Sequence, residues 1–367
     1  MQISAFKSSL RSNFLASMHL NYRTWKVALE RQKLNESTWL SVNSIGRKKG
    51  SLLVRRIRKV PWEKISWTKN CTLGPMSKPV ATIRSGETVE VETSDASGNV
   101  VRPDQTLEDA RQKGVRRYGN PITGPIYVED AEPGDALKIE IIDITLPEVG
   151  WTCVMPGSGG LEGWLQSSPS ITKFSRIEDE KIAYMLNDGR TVEIPAKPFI
   201  GTIGVSPEFE SALTIVPGRH GGNMDVSDVC IGSTLYLPVA VRGALLGLGD
   251  VHAVQGDGEI CGTAVEVSST VTLKVELEKN KKLDWPRIES KDEIMTVCSA
   301  RPLEDAVRLA FLELIKWLEA DYSFERYDAY MFLSLVAKAR IAQIVDPLFT
   351  VVAKLPKKML PKSETPK

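Results

Sequence analysis

The stretch "TVTLKVELE", residues 270–278, decides the fold class, because it alternates apolar and polar side chains without a break. The apolar set is Val271, Leu273, Val275 and Leu277, and the residues between them are threonine, lysine and glutamate. A period of two places alternate side chains on opposite faces of a β-strand, one towards a core and one towards water. We therefore predict a strand here and a sheet around it.

Other segments repeat this pattern. "ATIRSGETVEVET" (81–93) alternates about a Ser85-Gly86 turn, and "ALKIEIIDI" (136–144) alternates after the turn "EPGD". Between such segments lie loops rich in glycine and proline, namely "PITGP", "PGSGG", "PAKPFIGTIGVSP" and "PGRHGGNMD". Short alternating runs separated by turn residues are typical of β structure. The sequence therefore predicts a mainly β or α+β protein with long loops.

The C-terminal part has helical spacing instead. Between residues 303 and 318 the apolar positions are Val307, Phe311, Leu314 and Leu318. Such spacing predicts an amphipathic helix that packs on the sheet. The segment "YDAYMFLSLVAKARIAQIVDP" (327–347) predicts a second helix that ends near Pro347.

Composition narrows the class of protein. The chain has 367 residues, 42% of them hydrophobic and 25% charged, as in ordinary globular proteins. Without an apolar run of about 18 residues, no membrane-spanning helix is expected. The five cysteines are odd in number and lack CxxC spacing, which favours a reducing compartment, and we expect the cytoplasm.

Charge separates the two ends of the chain. Residues 1–64 contain 14 basic and three acidic residues, so the rest of the chain is acidic although the net charge is +1. We predict a basic flexible extension (1–64), a catalytic domain (65–355) and a flexible tail (356–367). Targeting or binding to an anionic surface is the alternative for the basic segment. Because the body is acidic, no nucleic-acid partner is expected.

The first candidate site is "GDVHAVQGDGE", residues 249–259. If residues 246–255 form a strand, Asp250 and His252 share a face about 7 Å apart and can hold one cation. A two-residue turn at Asp257-Gly258 would then reverse the chain. Glu259 can join the pair only if "QGDG" folds irregularly, which its glycines permit. The alternative is a structural histidine beside an ordinary turn.

The second candidate site is "PGRHGGNMDVSD", residues 217–228. Its glycines permit a close backbone approach to a ligand, and Asn223 is a candidate donor to a carbonyl or oxyanion. The alternative is a surface loop whose Asn and Asp residues stabilise turns. The two sites contain two of the three histidines, and both loops reach one rim of a sheet if two strands lie between them.

Other routes to catalysis receive less support. We find no GxSxG, P-loop or GxGxxG motif in the required context. Cys230 and Cys261 lie near the two sites, but buried inert thiols are favoured over a Cys-His nucleophile.

Several segments resemble the acetamidase/formamidase family. They are "TVEVETSDASG", "NPITGPIYVEDAEPGDALKIEI", "GTIGVSPE", "PGRHGGNMDVSDVCIGSTLYLPV", "GALLGLGDVHAVQGDGEICGTAVE" and "DAYMFLSLVAKARIAQIVDP". They occur in the order of the family and cover residues 76–355. The resemblance implies a β-sandwich with β-barrel-like and small α/β parts and C-terminal helices. It also implies hydrolysis of formamide or acetamide to the carboxylic acid and ammonia.

Taken with this resemblance, the residues suggest a metal-assisted site. The expected ligands of a divalent ion, Zn²⁺ by preference and Ca²⁺ as the alternative, are Asp250, His252, Asp225, His220 and, in "TSDASG", Asp95. The expected catalytic residues are Glu259 as general base, Asn223 as oxyanion donor, His252 and Gln255. The expected partners are a small amide substrate and a second copy in a dimer, without a membrane. The alternative is a non-catalytic β-sandwich that binds calcium or a small ligand through the same acidic loops.

Overall fold

The computed structural model describes residues 54–61, 64–113, 119–165 and 169–361. Two large β-sheets dominate this part of the chain. The prediction for residues 1–53 as a flexible extension falls outside the described residues. No helix in the described ranges is long and apolar enough to cross a membrane.

The first large sheet has nine strands in the order β1-β4-β17-β6-β14-β18-β19-β21-β20. Its strands are β1 Arg55–Ile57, β4 Glu87–Thr93, β6 Ala136–Thr145, β14 Thr234–Pro238, β17 Ser269–Glu278, β18 Arg287–Glu289, β19 Glu293–Ala300, β20 Lys338–Gln343 and β21 Phe349–Pro356. The alternating segment 270–278 lies in β17, which pairs with β4 and β6 on its two sides. Val271, Leu273 and Val275 are fully buried, so the predicted strand is confirmed.

The second large sheet has ten strands. Its main path is β10-β9-β8-β7-β16-β15-β11-β13, and β5 joins β15 and carries β3. The strands are β3 Ala81–Ile83, β5 Ile122–Val128, β7 Val149–Val154, β8 Ile171–Glu178, β9 Lys181–Met185, β10 Thr191–Pro195, β11 Phe199–Gly204, β13 Gly221–Asn223, β15 Leu246–His252 and β16 Glu266–Val267. Two short strands, β2 Thr72–Leu73 and β12 Ala212–Leu213, pair separately.

The two sheets share one apolar core. It combines side chains of the first sheet, such as Val91 and Leu273, with side chains of the second, such as Ile200 and Leu248. The predicted mainly β sandwich is therefore confirmed. Both large sheets have different strands at their two ends, so the described strands form open sheets rather than the barrel-like part that the resemblance implied.

Helices in the described ranges are few and short apart from the C-terminal pair. They are α1 Trp67–Asn70, α2 Leu107–Gln112, α3 Leu303–Tyr322 and α4 Arg326–Val336, followed by a 3-10 turn at Lys357–Met359. α3 buries Leu314 and Leu318 against Val351 and Leu355 of β21. The predicted first C-terminal helix is confirmed and is four residues longer than expected.

The predicted helix over 327–347 is wrong in its second half. The helix ends at Val336, and Ala337 is extended, with φ −78° and ψ 159°. Residues 338–343 then form β20, which pairs with β21. Pairing with an exposed sheet edge satisfies the backbone of this segment, and that tertiary context outweighs its helical pattern.

The predicted domain limits at residues 64 and 355 also differ from the structure. Ile57 is buried, and β1 pairs in parallel with β4, where Arg56 Nε donates a hydrogen bond to Glu90 Oε2 at 2.8 Å. A basic segment next to an acidic strand thus becomes part of the first sheet. At the other end, β21 continues to Pro356. Residues 362–367 lie outside the described residues.

Candidate active site

Strand β15 places the first candidate motif at the centre of the second sheet. All seven of its residues are buried. His252, its last residue, lies opposite Phe199 of β11 and opposite Glu266 of β16. β11 also pairs with β13, where Thr202 lies opposite Asn223. The second candidate motif therefore reaches the first through β11 alone, with one intervening strand.

Four carboxylates lie around His252, and a fifth lies against Asp225; we refer to these six residues as the His252 cluster. The four belong to Asp225, Asp250, Glu259 and Glu266, and the fifth belongs to Asp346. The Nε2 atom of His252 lies 3.4 Å from Asp250 Oδ1 and 3.3 Å from Glu266 Oε2. Two trios each bring their ligand atoms within 4.8 Å of one another. These trios are Asp225 with Asp250 and His252, and His252 with Glu259 and Glu266.

Gln255 fixes the orientation of His252. Its Nε2 donates hydrogen bonds to the carbonyls of Asp225 (3.1 Å) and Ala342 (3.2 Å), so its Oε1 is left to face the imidazole. That Oε1 lies 2.8 Å from His252 Nδ1 and can only accept there. Nδ1 therefore carries a proton, and Nε2 points at the carboxylates.

The irregular loop after β15 carries Glu259 into the cluster. Glu259 N donates to the Gly256 carbonyl at 3.2 Å, and Gly262 N donates to the Glu259 carbonyl at 2.7 Å. Glu259 is only 7% exposed. The loop replaces the regular two-residue hairpin that the sequence also suggested, and it is the irregular alternative that brings Glu259 to His252.

Asn223 lies within a hydrogen-bond network rather than facing open space. Its Nδ2 donates to Asp225 Oδ2 and to Asp346 Oδ2, both at 2.8 Å. Its Oδ1 accepts from Asn120 Nδ2 at 2.9 Å and from the Thr202 hydroxyl. Since both amide ends are engaged, the structure places Asn223 as a bridge between two carboxylates, not as the expected oxyanion donor.

Burial and mutual repulsion govern the ionisation of the cluster. Burial, and then the charge of Asp346, raises the pKa of Asp225 well above its usual range. Burial, and then Asp225, likewise raises the pKa of Glu259. Burial alone would lower the pKa of His252, but the surrounding carboxylates outweigh burial and raise that pKa above its ordinary value. The environment of the cluster therefore disfavours full ionisation of its carboxylates.

Three of the acids have a left-handed backbone conformation. Their φ angles are 50° at Asp225, 56° at Asp250 and 46° at Glu259. This region is uncommon for residues other than glycine, and such residues concentrate at functional sites. At Asp250 the turn also interrupts the β15 ladder, where its N–H donates to the Ser94 carbonyl at 3.1 Å.

Gly201 of β11 lies against the first trio. A Cβ atom there would lie 2.7 Å from the Asp250 carbonyl oxygen, 2.8 Å from Asp225 Oδ1 and 3.0 Å from His252 Cε1. Only a residue without a side chain allows these groups to pack so closely against β11. The glycine therefore permits the close approach of the trio to this strand.

The structure does not bring His220 to the cluster, in contrast to the expectation that it is a metal ligand. Its carbonyl accepts from Val205 N at the far end of β11, six residues from Phe199, which lies opposite His252. Six strand residues span about 20 Å. β13 and β15 both run antiparallel to β11, so the residue before β13 lies at the end of β11 away from His252. Burial lowers the pKa of His220 to about 4.

Asp95 lies near the cluster but is engaged elsewhere. Its Oδ1 accepts from Ser97 N (2.8 Å), Ser97 Oγ (2.6 Å) and Asn99 N (2.9 Å), and its Oδ2 accepts from Trp151 Nε1 at 3.0 Å. Trp151 is the strand partner of Glu266. Asp95 thus organises its own loop and a neighbour of the site, and these contacts do not suit the expected role of ligand.

The two cysteines near the motifs take no part in the cluster. Cys261 Sγ donates to the Thr263 carbonyl at 3.2 Å. Burial raises the pKa of Cys230, which opposes thiolate formation. Both observations agree with the preference for inert thiols.

Four functional candidates were missed by sequence reasoning, namely Glu266, Asp346, Asn120 and Thr202. Asn120 Nδ2 donates to Asp250 Oδ2 at 2.6 Å, and the Thr202 hydroxyl oxygen lies 3.1 Å from the same oxygen. A signal for Glu266 was present in "AVEV", where an acid interrupts an apolar run. A buried charge in such a run is unusual unless it has a partner.

The donor set fits a divalent cation. Asp225 Oδ1 and Glu266 Oε2 are buried and have no hydrogen-bond partner among the described residues. Buried polar atoms are almost always paired, so two such oxygens, 4.0 Å and 3.3 Å from the ring nitrogens of His252, suggest a bound cation. An imidazole nitrogen among carboxylate oxygens is a donor set for Zn²⁺ and related metals, whereas Ca²⁺ takes oxygen ligands alone.

A β-sandwich with a buried histidine–carboxylate cluster is typical of an enzyme with a polar reaction centre. The chain belongs to the Acetamidase/Formamidase family, whose sequence model matches residues 73–210 and 208–361. It is therefore an amidohydrolase by family. The resemblance seen in the sequence is confirmed.

Solved structures agree with this assignment. An acetamidase from Yersinia enterocolitica is 39% identical, with 86% of this chain and 95% of that chain covered and a TM-score of 0.77. An acetamidase from Bacillus halodurans is 36% identical, with 82% and 97% covered and a TM-score of 0.73. Among curated proteins, a formamidase from Methylophilus methylotrophus is 27% identical over 60% of this chain. The match spans 67% of the length of that formamidase.

Proposed function

We propose that this chain hydrolyses short-chain aliphatic amides, formamide or acetamide, to the carboxylic acid and ammonia, and that a divalent metal ion, Zn²⁺ by preference, assists. The observation that carries the proposal is the His252 cluster, which lies in the part of the chain that matches the family. The acetamidase and formamidase relatives support the substrate class.

Amide hydrolysis makes three demands on such a site. Water must attack the carbonyl carbon, the developing oxyanion must be stabilised, and the nitrogen must leave with a proton as ammonia. Asp225, Asp250 and His252 would hold the metal, with Glu266 beside them. When bound, a divalent ion acts as a Lewis acid that polarises a carbonyl and makes water more acidic.

The residues of the chain supply the remaining functions. Glu259 lies within reach of His252 and Glu266, and we assign to it the transfer of a proton from water to the leaving nitrogen. Gln255 holds His252 in one tautomer through the 2.8 Å contact with Nδ1. Asn223 keeps Asp225 and Asp346 apart at fixed positions.

The test is ammonia release from formamide and acetamide, with elemental analysis of the same preparation. We expect turnover in metal-loaded protein, loss after treatment with a strong chelator and recovery with one divalent ion. Full turnover in metal-free protein would rule out metal assistance. Metal-loaded protein that binds its ion and releases no ammonia from either amide, or from a wider panel of small amides, would favour the non-catalytic calcium-binding alternative.

We also propose that two copies associate through α4. Tyr327, Tyr330, Met331 and Leu335 form an exposed apolar stripe at helical spacing, and Leu335 is 82% exposed. An acidic residue, Asp328, lies in the first turn of α4 and Lys338 follows its end. Antiparallel pairing about a two-fold axis would place each near its opposite in the partner. In sedimentation experiments, Leu335→Glu should shift a dimer to monomer, and a monomeric wild type would contradict the proposal.

We propose a cytoplasmic location on the chemistry of the cysteines. All five lie in the described part of the chain, and no two of them form a disulfide. That fits a reducing compartment. Cell fractionation of the full chain tests it.

A further inference from the structure

We propose that Arg340 is a positioning residue that holds three carboxylate-bearing segments of the His252 cluster in register. The proposal rests on the proposed function for its catalytic consequence. Arg340 lies on β20 and contacts neither His252 nor any of the five carboxylates of the cluster. Its role would be to fix the distances between groups that do.

The guanidinium of Arg340 reaches two different loops. Its Nη2 donates to Ser227 Oγ at 2.8 Å and lies 2.9 Å from Asp228 Oδ2. Its Nε lies 3.1 Å from Asp257 Oδ1, an ion pair without hydrogen-bond alignment. Asp228 is three residues after Asp225, and Asp257 is two residues before Glu259. One cation therefore links the loops that carry two of the cluster acids.

The third segment is the one that carries Arg340 itself. β20 ends at Gln343, and Asp346 follows in the next turn. Gln343 Oε1 accepts from the N–H of Asp346 at 3.0 Å, which fixes this turn to the strand. Contacts that hold the loops of Asp225 and Glu259 against β20 therefore also fix the distances of these loops from Asp346.

Backbone contacts show how closely the loop of Glu259 lies on β20. Gly258 N donates to the carbonyls of Ile341 and Ala342, each at 3.0 Å, and Ile344 N donates to the Gly258 carbonyl at 3.1 Å. Gly258 has φ +88°, so this approach depends on a left-handed glycine. Arg340 pairs with Asp257, the residue immediately before Gly258, and this ion pair fixes the start of the turn.

Exposure separates a positioning role from a stabilising one. The Arg340 side chain is 23% exposed, and its partners Asp228 and Asp257 are 15% and 58% exposed. When Arg340 is replaced, Asp228 keeps Lys354 as a second cation. The pair with Asp257 is in contact with water, and such a pair contributes little to the free energy of unfolding. A small displacement of reacting groups has a much larger effect on rate. Loss of Arg340 should therefore change turnover far more than thermal stability.

The geometry requires arginine rather than lysine. The planar guanidinium presents donors in several directions, so it reaches Ser227, Asp228 and Asp257 at once, whereas an ammonium is a single point charge. Lys354 already lies against Asp228 as a second cation. Arg340 is the cation that pairs with Asp257.

The experiment compares Arg340→Ala, Arg340→Lys and Asp257→Asn with a matched control, Arg242→Ala. Arg242 makes an exposed ion pair of similar length, 2.9 Å from Nε to Glu132 Oε1, away from the cluster. Two quantities are measured in the metal-loaded full chain: kcat and KM for formamide, and amide hydrogen exchange of the peptide that spans residues 254–262.

We expect Arg340→Ala to lower kcat by about tenfold or more with KM within about twofold, and to accelerate exchange at residues 256–259. Arg340→Lys should not restore kcat, whereas millimolar guanidinium ion added to Arg340→Ala should restore part of it. Asp257→Asn should reproduce the exchange change, and Arg242→Ala should change neither quantity. If Arg340→Ala does not fold, Arg340→Lys and Asp257→Asn decide the question.

Unchanged exchange at residues 256–259 in the Arg340 variants would overturn the proposal, whatever their turnover. Faster exchange with wild-type kcat would overturn it too, since the loop would then not need its fixed position. A wild-type chain that releases no ammonia would refute the proposed function instead, and the exchange comparison would still show whether Arg340 holds the loop.

Discussion

Substitution of Gly201 by alanine tests whether the reaction depends on the present positions of Asp225, Asp250 and His252. The new Cβ would lie 2.8 Å from Asp225 Oδ1 and 2.7 Å from the Asp250 carbonyl oxygen. Ordinary van der Waals contact begins at 3.4 Å, so the two groups must move by about 0.6 Å and 0.7 Å. Gly201 does not have a positive φ, and alanine is therefore not strained by its backbone conformation.

The expected loss is mainly catalytic. A displacement approaching 1 Å in a reacting group costs up to about 100-fold in rate, or about 2.7 kcal/mol of transition-state stabilisation. Overpacking itself costs about 1–3 kcal/mol of folding free energy. We expect kcat/KM for ammonia release to fall by about 10- to 100-fold in folded protein. The midpoint of thermal unfolding should fall by only a few degrees.

Two control variants separate packing from chemistry. At Gly256, in the loop after β15, an added Cβ meets nothing within 4 Å, so Gly256→Ala should keep full activity. At Gly247, on β15, the Cβ meets Ile122 Cδ1 at 2.6 Å in the core, so Gly247→Ala should lose stability while folded molecules stay active. A Gly201→Ala enzyme with wild-type kcat/KM would refute the placement of the reaction beside Asp225 and Asp250.

Three further predictions concern the cluster and its surroundings. Burial, joined by the charge of Asp225, raises the pKa of Glu259, and neighbouring carboxylates raise that of His252 against the effect of burial. The metal-free native state then binds more protons than the unfolded chain, so its melting temperature should fall between about pH 5 and pH 8, and a flat or rising profile would contradict this. Glu259→Gln should lower kcat by about 100-fold or more without a loss of stability, measured by ammonia release and calorimetry, and near-normal turnover would remove its assigned role. Asp95→Ala should lower the free energy of unfolding, measured by denaturant titration, by about 1–3 kcal/mol. The affinity for a divalent ion, measured by calorimetry, should stay within about twofold of the wild type, and a large loss of affinity would restore Asp95 as a ligand.

Much of the fold followed from local patterns. The alternation over 270–278 predicted β17 because half-buried strands need a period of two, and Val271 and Leu273 are fully buried. The Ser85-Gly86 turn was less informative, because the chain passes there from β3 in one sheet to β4 in the other. The helix prediction for residues 338–343 was wrong because these residues form a strand by pairing with β21, and no local pattern reveals that pairing.

The candidate site could be predicted from the sequence only where its residues lie within one short motif. Asp250 and His252 lie two residues apart on β15, so their closeness in the sequence, together with the left-handed turn at Asp250, brings them together. Glu266 enters through its register opposite His252, and Asp346 enters through its contact with Asn223. Both depend on pairings between distant segments. His220 was misplaced because a glycine-rich motif does not reveal which end of β11 it will meet.

The His252 cluster opposes folding when no cation is bound. Asp225, Asp250 and Glu259 each have a left-handed backbone, at about 1–3 kcal/mol per residue, with aspartate towards the lower end. Their carboxylates are buried beside one another, which disfavours their charge. A cation that binds only the native state would offset both effects, by about 2.7 kcal/mol at 100 times its dissociation constant. An arrangement that weakens the fold and would be relieved by a cation is better explained by the chemistry of that cation than by structural support.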